Sequence, residues 1–471
     1  MKIKFIDLSI LFLILSCGIV LRSYNYSFDD LWYDEVISFW ISNPELSFRE
    51  SLSNHNLVEV NTFTYHLLLK HYFKFFGYSV ETGRILSVIF GSLSILSIAY
   101  LNWIIAKNKS YLFAAFLISF NIFLIGFSQE MRLYSILFFF SSLSLIFFLK
   151  ILNEKNILNL LLFFISTIFI VFLHPFALIF VFSYFFYLAY LYFKSKKIYF
   201  NLNLSLSLII VISFFVYFYS FKEISANERA EYFWMTNPNL KFYTNFYFSS
   251  FFGSRIMGII FLLTLVSLIF IYLKKIKNLN FLILFLILIF LSYSLPLAFG
   301  YIFKPIMVNR YIMFVLIPII SFIAISVFEF EKSKKFFIIL FLSVLTLGNH
   351  FTEQSFKQFY KARVVYKPEY LKATKYMNES NIRDYFLKVS KMESTKGTTS
   401  AIEHYINYLG NMNNFSLKLA DLDKKNFKYL WHLCLQDFNG KNCKIDNIEK
   451  NFIIIEKKYF NNIELKLIKI R

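Results

Sequence analysis

The chain has 471 residues, of which 58% are hydrophobic, 21% are aromatic and only 17% are charged. It is much more apolar than an ordinary soluble domain of this length, and this indicates that the lipid bilayer is its solvent. The formal net charge is +20, but the basic residues lie in short clusters between apolar runs rather than on an exposed face rich in aromatic residues. We therefore expect no nucleic-acid partner, and the clusters instead favour contact with membrane lipids.

Nearly charge-free runs recur along residues 1–350, and most reach the roughly 17 to 25 residues that a spanning helix needs. They cover residues 5–21, 85–106, 111–127, 133–149, 156–173, 175–193, 198–221, 256–273, 279–303, 311–328 and 336–349. If each run is one span, the chain has about eleven transmembrane helices. The runs therefore predict an all-α polytopic membrane domain over residues 1–350.

The connections between the runs predict an orientation. Lysine clusters lie within residues 2–4, 107–109, 150–155, 194–197, 274–277 and 332–335. With about eleven spans, all of these clusters fall on one side of the membrane, and the positive-inside rule makes that side the cytoplasm. We therefore predict a multi-pass protein of the cell inner (plasma) membrane, with a cytoplasmic N-terminus and an extracytoplasmic segment after residue 350.

Residues 351–471 are more polar and have a different pattern. A helix-like stretch at 368–378 precedes strand-like stretches at 429–435 and 452–456, which predicts a small extracytoplasmic α/β domain. Cys434 and Cys443 flank the turn-forming residues Phe438-Asn439-Gly440. A disulfide is expected there if the flanking strands pair, whereas two buried free thiols are the alternative.

The first predicted loop, residues 22–84, carries adjacent carboxylates just beyond the first span. It opens with Trp32-Tyr33-Asp34-Glu35. Such a pair is suited to accepting a proton from an attacking hydroxyl or to holding a metal ion. An ordinary hydrated loop is the alternative interpretation, because acidic pairs are common in loops.

Further polar motifs lie on the same side, opposite the lysine clusters, at residues 129–134, 174–175, 227–239 and 304–311. An arginine near a membrane boundary is costly unless it is paired or hydrated, so Arg132 and Arg310 are candidates for binding an anionic headgroup. A helix-end arginine that pairs with Glu130 or with lipid phosphate is the alternative. His174 is a candidate sugar or phosphate contact, although it could equally cap a helix or pack against one.

Taken in order, these motifs resemble the GT-C glycosyltransferases related to protein O-mannosyltransferases and lipid A aminoarabinose transferases. The residues that carry the resemblance are 31–38, Glu59 with 61–69, Phe76-Gly77, 83–87, 128–135, His174-Pro175, Phe233-Trp234, Asn237-Pro238, Asn309-Arg310-Tyr311 and Pro318. The chain departs from the family pattern in one place, since Asn61-Thr62-Phe63 stands where His-Pro-Pro is common. The resemblance covers the membrane part and, more loosely, the tail.

The resemblance implies transfer of a sugar from a polyprenyl-phosphate donor to an extracytoplasmic lipid, glycan or protein acceptor. It places Asp34 as the general base, with Glu35 and Glu59 orienting the acceptor or Asp34. If a divalent metal binds, Asp34 and Glu59 are its expected ligands.

The same resemblance implies which basic residues bind the donor phosphate. Arg132 and Arg310 are the first choices, with Lys304 and Arg255 behind them. Tyr134, His174 and Tyr311 complete the expected substrate-binding set.

Other classes of membrane protein remain open. A secondary transporter is expected to carry charges near the bilayer midplane, whereas these spans are nearly free of charge. A scaffold or binding protein would not need outward-facing polar motifs at several helix ends. A polymerase or ligase that moves whole glycans between lipids shares the donor and the topology, and it is the nearest enzymatic alternative.

Overall fold

The computed structural model describes residues 4–59, 61–154, 156–225, 235–275, 280–351, 365, 367–380, 385–391, 396–412, 418–419, 429–435 and 452–470. The chain divides into two compact units. The first, called here the membrane unit, comprises Met1–Asn25, Arg84–Phe221 and Phe233–Arg363. The second, the loop–tail unit, comprises Tyr26–Gly83, Lys222–Tyr232 and Val364–Arg471. The first predicted loop thus belongs to the same compact unit as the C-terminal segment.

The secondary structure is mainly helical. The α-helices are α1 (Phe5–Ser23), α2 (Tyr33–Ile41), α3 (Phe48–Val58), α4 (Thr64–Phe76), α5 (Val80–Ala106), α6 (Ser110–Ser119), α7 (Ile122–Ser128), α8 (Tyr134–Asn153), α9 (Ile157–Leu173), α10 (Leu178–Ser195), α11 (Phe200–Ser225), α12 (Leu240–Tyr243), α13 (Phe248–Phe251), α14 (Arg255–Lys275), α15 (Asn280–Ile302), α16 (Leu316–Phe328), α17 (Lys332–Asn349), α18 (Tyr370–Glu379) and α19 (Lys396–Met412). The 3-10 helices are η1 (Pro175–Ala177) and η2 (Asn309–Val315). The strands are β1 (Tyr385–Lys391), β2 (Lys418–Leu419), β3 (Tyr429–Leu435), β4 (Phe452–Phe460) and β5 (Ile463–Ile470).

The structure supports several membrane-spanning helices without confirming the predicted number of spans. All the predicted apolar runs are helical, but in the described parts of the chain only 7 helices are long and apolar enough to cross a membrane, or 8 if the bent pair α6–α7 is one span. Helices α9 and α14 are apolar but shorter. Helix α17 opens with Lys332, Lys334 and Lys335, which shortens its apolar part. The predicted multi-pass membrane fold is confirmed, whereas the count of about eleven spans is not.

The bend between α6 and α7 is stabilised by buried polar side chains. The two helices meet at 59°. Asn121 caps α7 by accepting a hydrogen bond from the Leu124 N–H at 2.9 Å. The guanidinium of Arg22, only 1% exposed, donates to the carbonyls of Ile118 and Ser119 at 3.0 Å each. Arg22 therefore adds charged donors to carbonyls at the broken end of α6, where the regular helical hydrogen bonds stop in an apolar environment.

Gln129 connects the end of α1 to the start of α8. Its side-chain amide donates to the backbone carbonyls of Arg22 at 3.2 Å and of Tyr24 at 2.8 Å. Gln129 is buried, and it lies just before Arg132 and Tyr134 along the chain. The polar end of the first helix therefore helps to fix the segment that leads into α8.

The loop–tail unit contains a mixed five-stranded sheet in the order β2-β1-β3-β5-β4. Strand β1 runs parallel to β2 and β3, whereas β5 runs antiparallel to β3 and β4. Together with α18 and α19, the sheet confirms the predicted small α/β fold. Cys434 in β3 is disulfide-bonded, and Cys443, its predicted partner, lies outside the described residues.

Aromatic side chains pack the first-loop helices against α19 inside this unit. The rings of Phe39 and Tyr78 stack with their centroids 4.0 Å apart. The Tyr78 hydroxyl donates to the Phe39 carbonyl at 2.9 Å and is 2.8 Å from Nε2 of His404. Burial lowers the pKa of His404 to about 4, so the ring is neutral near pH 7. Because the Tyr78 hydroxyl gives its proton to the Phe39 carbonyl, Nε2–H of His404 is the donor to the Tyr78 oxygen. These contacts hold α2 against the C-terminal segment.

We expect Arg22→Gln to destabilise the membrane unit, because the shorter amide cannot reach the carbonyls of Ile118 and Ser119 together. Each hydrogen bond lost from a charged donor costs about 1.5 to 3 kcal/mol. Thermal unfolding in detergent measures the effect, with the exposed Arg49→Gln as the matched control. Equal melting temperatures for the two variants would contradict the role assigned to Arg22.

Candidate active site

Three motifs that are distant in sequence converge around Tyr311 in the membrane unit. The ring centroid of Tyr311, in η2, lies 4.8 Å from that of His174, 5.6 Å from that of Phe176 and 6.5 Å from that of Tyr134 at the start of α8. The guanidinium carbon of Arg310 lies 5.6 Å from the centroid of the Tyr311 ring. We call these five residues the Tyr311 cluster.

The residues that follow His174 in the sequence explain where α9 ends and how the His174 ring is oriented. Helix α9 ends at Leu173 because a residue that precedes a proline, here Pro175, disfavours helical backbone angles. Nδ1 of His174 accepts a hydrogen bond from the Phe176 N–H at 3.2 Å. In the neutral ring the proton is therefore on Nε2. With only 2% of the residue exposed, His174 has a fixed orientation in the cluster.

Of the two arginines predicted to bind phosphate, Arg310 belongs to the cluster and Arg132 lies two residues before Tyr134 in the sequence. The backbone N–H of Arg310 donates to Oδ1 of Asn309 at 2.7 Å, and the residue is half-buried. Arg132 is buried, and its carbonyl accepts from the Ser87 hydroxyl at 3.4 Å. A buried guanidinium is costly in apolar surroundings unless an anionic or polar group compensates it. The structure thus places Arg132 just ahead of Tyr134, and Arg310 against the ring of Tyr311.

Some residues that the sequence analysis singled out are not part of the Tyr311 cluster. Lys304 is exposed in the segment between α15 and η2. Phe233 and Trp234, which carry part of the resemblance, lie outside the described residues.

Asp34 and Glu35, in the loop–tail unit, have different surroundings although they are adjacent in sequence. Asp34 is half-buried in the first turn of α2. Glu35 is fully buried, and its Oε2 accepts from the Trp32 N–H at 2.8 Å and pairs with Nζ of Lys367 at 2.6 Å. Successive helix residues point about 100° apart, which separates the two side chains. Glu35 therefore caps α2 and joins it to the C-terminal segment.

Glu59 ends α3 beside a pair of buried histidines. It is half-buried, and its N–H donates to the carbonyl of His55 at 2.9 Å. Nδ1 of His55 is 3.2 Å from Nδ1 of His66, and Nε2 of His55 donates to the carbonyl of Asn61 at 2.8 Å. The segment that departs from the family's His-Pro-Pro pattern is thus held by His55, a residue that sequence reasoning missed.

Other residues that position the loop–tail unit were also missed. Oδ2 of Asp30 accepts from the Leu371 N–H of α18 at 2.8 Å, and Oδ1 accepts from the Tyr405 hydroxyl of α19 at 3.2 Å. Nζ of the buried Lys70 donates to the carbonyls of Asn43 at 2.8 Å and Leu46 at 2.5 Å. The adjacent Asp29-Asp30 pair was a visible signal in the sequence, whereas nothing local marked Lys70 or Lys367.

The metal site expected at Asp34 and Glu59 stays a prediction. In the part of the chain that the structure describes, no group of three or more His, Cys, Asp or Glu side chains is arranged to hold a metal ion. Asp34 and Glu59 alone provide fewer carboxylate ligands than calcium or zinc sites normally need, and Glu35 already pairs with Lys367. We therefore derive no chemical step through a metal.

The chain matches no protein-family model and no curated protein. It is similar to the apo crystal structure of ArnT from Cupriavidus metallidurans, with a TM-score of 0.62 and 8% identity over 98% of this chain and 97% of that one. The structure of the same protein bound to undecaprenyl phosphate gives a TM-score of 0.62 and 9% identity over the same shares of the two chains. The chain shares the ArnT fold.

This likeness confirms the ArnT-like fold that the sequence resemblance implied. ArnT is the lipid A aminoarabinose transferase. A crystal structure of the Archaeoglobus fulgidus oligosaccharyltransferase in complex with Zn and sulfate is more distant, with a TM-score of 0.48 and 13% identity over 90% of this chain and 67% of that one. At these identities the comparison shows the fold alone.

The Glu35–Lys367 pair makes a testable claim about stability. We expect Lys367→Met to destabilise the protein by about 3 to 5 kcal/mol, because it leaves a buried carboxylate without its cation. Combining Lys367→Met with Glu35→Gln should recover much of that loss, since the amide still accepts from the Trp32 N–H. Thermal or chemical unfolding of both variants measures the difference.

The matched control is Lys372→Met, which removes a largely exposed cation from its pair with the partly buried Glu369 at the start of α18. This variant should unfold close to the parent, because an ion pair with one solvent-exposed partner contributes little, and Glu369 still accepts from the Asn461 N–H. If Lys367→Met and Lys372→Met were equally mild, Glu35 would not be the structural anchor of α2.

Proposed function

We propose that this protein is a membrane glycosyltransferase that moves a sugar from a polyprenyl-phosphate donor to an extracytoplasmic lipid, glycan or protein acceptor. The observation that carries the proposal is the Tyr311 cluster, where helix ends distant in sequence bring a cation and aromatic rings together. The fold supports it, because one structure with this fold is of ArnT bound to undecaprenyl phosphate.

The chemistry of the donor requires these features. The polyprenyl tail is soluble only in the bilayer, so the enzyme must present its site at a membrane boundary. Negative charge grows on the phosphate as the sugar leaves it, and fixed guanidinium groups stabilise that charge. Arg310 and Arg132 supply such groups, and the Tyr311 ring holds the Arg310 guanidinium by a cation–π contact.

Asp34 is the residue that we assign to activation of the acceptor. Asp34 takes the proton of the acceptor hydroxyl as the acceptor oxygen attacks the anomeric carbon. The bond between that carbon and the phosphate oxygen breaks, and polyprenyl phosphate leaves with the electron pair. Attack opposite the leaving group inverts the anomeric configuration. Glu59 orients the acceptor from the end of α3, whereas Glu35 keeps α2 in place through Lys367.

The base is tested by Asp34→Asn, which keeps the size of the side chain and removes its ability to take a proton. We expect transfer to fall by about 10²-fold or more. Glu59→Gln should lower it less, because an amide can still orient a hydroxyl. The donor is first identified as the lipid-linked sugar that accumulates in cells lacking the protein, and transfer is then measured in membranes with matched protein levels.

The exposed Glu45→Gln, also in the first loop, is the matched control and should transfer at the parent rate. Near-parental transfer by Asp34→Asn would reject Asp34 as the base. Accumulation of a lipid-linked oligosaccharide, rather than a single sugar, would instead favour the polymerase or ligase alternative.

The phosphate-binding role of Arg132 predicts a separate result. Arg132→Lys keeps the charge but loses the planar fork that matches two phosphate oxygens, so we expect transfer to fall about tenfold or more. Arg310→Lys should show a similar loss. Arg49→Lys, at an exposed position, controls for the exchange itself. Unchanged transfer by Arg132→Lys would assign this arginine to helix capping.

A further inference from the structure

A second candidate binding site lies in the membrane unit, away from the Tyr311 cluster. Helices α6, α16 and α17 line an open crevice of about 950 Å³. Its walls are mainly phenylalanine side chains, among them Phe116 and Phe328, and three lysines also line it: Lys109, Lys332 and Lys335. The volume falls within the range of about 300 to 1,000 Å³ that small-molecule sites occupy.

The position of this crevice separates it from the proposed donor site. Tyr311 lies in η2, directly before α16, whereas Phe328 is the last residue of α16. Helix α16 has 13 residues, and at about 1.5 Å per residue it holds the two sites roughly 20 Å apart. The crevice therefore lies toward the lysine-rich end of the helices, opposite to the Tyr311 cluster.

We propose that the crevice binds an anionic glycerophospholipid, with acyl-chain carbons against the phenylalanine walls and the phosphate between Lys332 and Lys335. An apolar cavity with several cations along it matches an amphiphile whose headgroup is negative. A zwitterionic lipid fits less well, because its own cationic group would meet the same lysines.

The charges around the crevice support this choice of headgroup. Nζ of Lys109 pairs with Oδ1 of the fully buried Asp7 at 2.7 Å, so that charge is already compensated. Lys334 does not line the crevice and pairs on the exposed side with Glu331 at 3.5 Å. Neither Lys332 nor Lys335 has an ion-pair partner among the residues that the structure describes.

Lys335 is also held in position. Its ammonium lies 5.3 Å from the ring centroid of Phe328, which is a cation–π contact on the crevice wall. Lys332 begins α17, so it lies at the positive end of the helix dipole, where an anion is favoured. The two uncompensated lysines therefore face the same region in which a lipid phosphate would lie.

The test uses the purified full chain in nanodiscs, with spin-labelled phosphatidylglycerol and phosphatidylcholine as probes. We expect the parent to immobilise phosphatidylglycerol several times more than phosphatidylcholine. Lys332→Gln combined with Lys335→Gln should abolish this preference. Lys334→Gln, on the same helix turn but outside the crevice, is the matched control and should retain it.

Two measurements keep the test decisive. Lys332→Arg with Lys335→Arg should retain the preference, and high salt should weaken it in the parent, which needs no variant to fold. Equal immobilisation of both lipids by the parent would overturn the proposal. So would a preference that the double Gln variant keeps, or competition by undecaprenyl phosphate that is stronger than competition by unlabelled phosphatidylglycerol.

Discussion

The ion pair between the buried carboxylate of Glu35 and Lys367 is the interaction on which the packing of α2 in the loop–tail unit depends. A charge removed from water must be both paired and hydrogen-bonded, and Glu35 meets both needs through Lys367 and the Trp32 N–H. The same contacts fix the start of α2, where Asp34 lies. Asp30 adds a second link by accepting from α18 and α19. The carboxylate assigned to catalysis therefore rests on a helix held by its acidic neighbours.

In the membrane unit, buried polar side chains, among them Arg22, provide hydrogen-bond partners for the backbone. Within a bilayer, backbone polar groups need partners inside the protein, so a broken helix must be satisfied by side chains. Arg22 and Asn121 do this at the bend between α6 and α7. Gln129 then ties the next segment to the end of α1. The structural polar residues thus lead directly to Arg132 and Tyr134, which the proposed chemistry uses.

Helix α16 gives the membrane unit two ends with different chemistry. At its N-terminal end, aromatic rings and Arg310 surround Tyr311. At its C-terminal end, three lysines line an otherwise mainly apolar crevice. Both arrangements suit an amphiphile with a phosphate, but they lie at opposite ends of one helix. A carrier lipid at the first and a membrane phospholipid at the second would serve different purposes, namely reaction and anchoring.

The sequence by itself determined that the chain is a helical membrane protein with an α/β tail, because charge-free runs and strand patterns are local properties. It also identified Tyr134, His174, Arg310 and Tyr311, which the structure brings together. Only the tertiary structure shows that Glu35 is buried in an ion pair while Asp34 stays half-buried, since Lys367 is distant along the chain. The bend after α6 and the packing of the first loop with the tail likewise depend on long-range contacts, which local pattern does not encode.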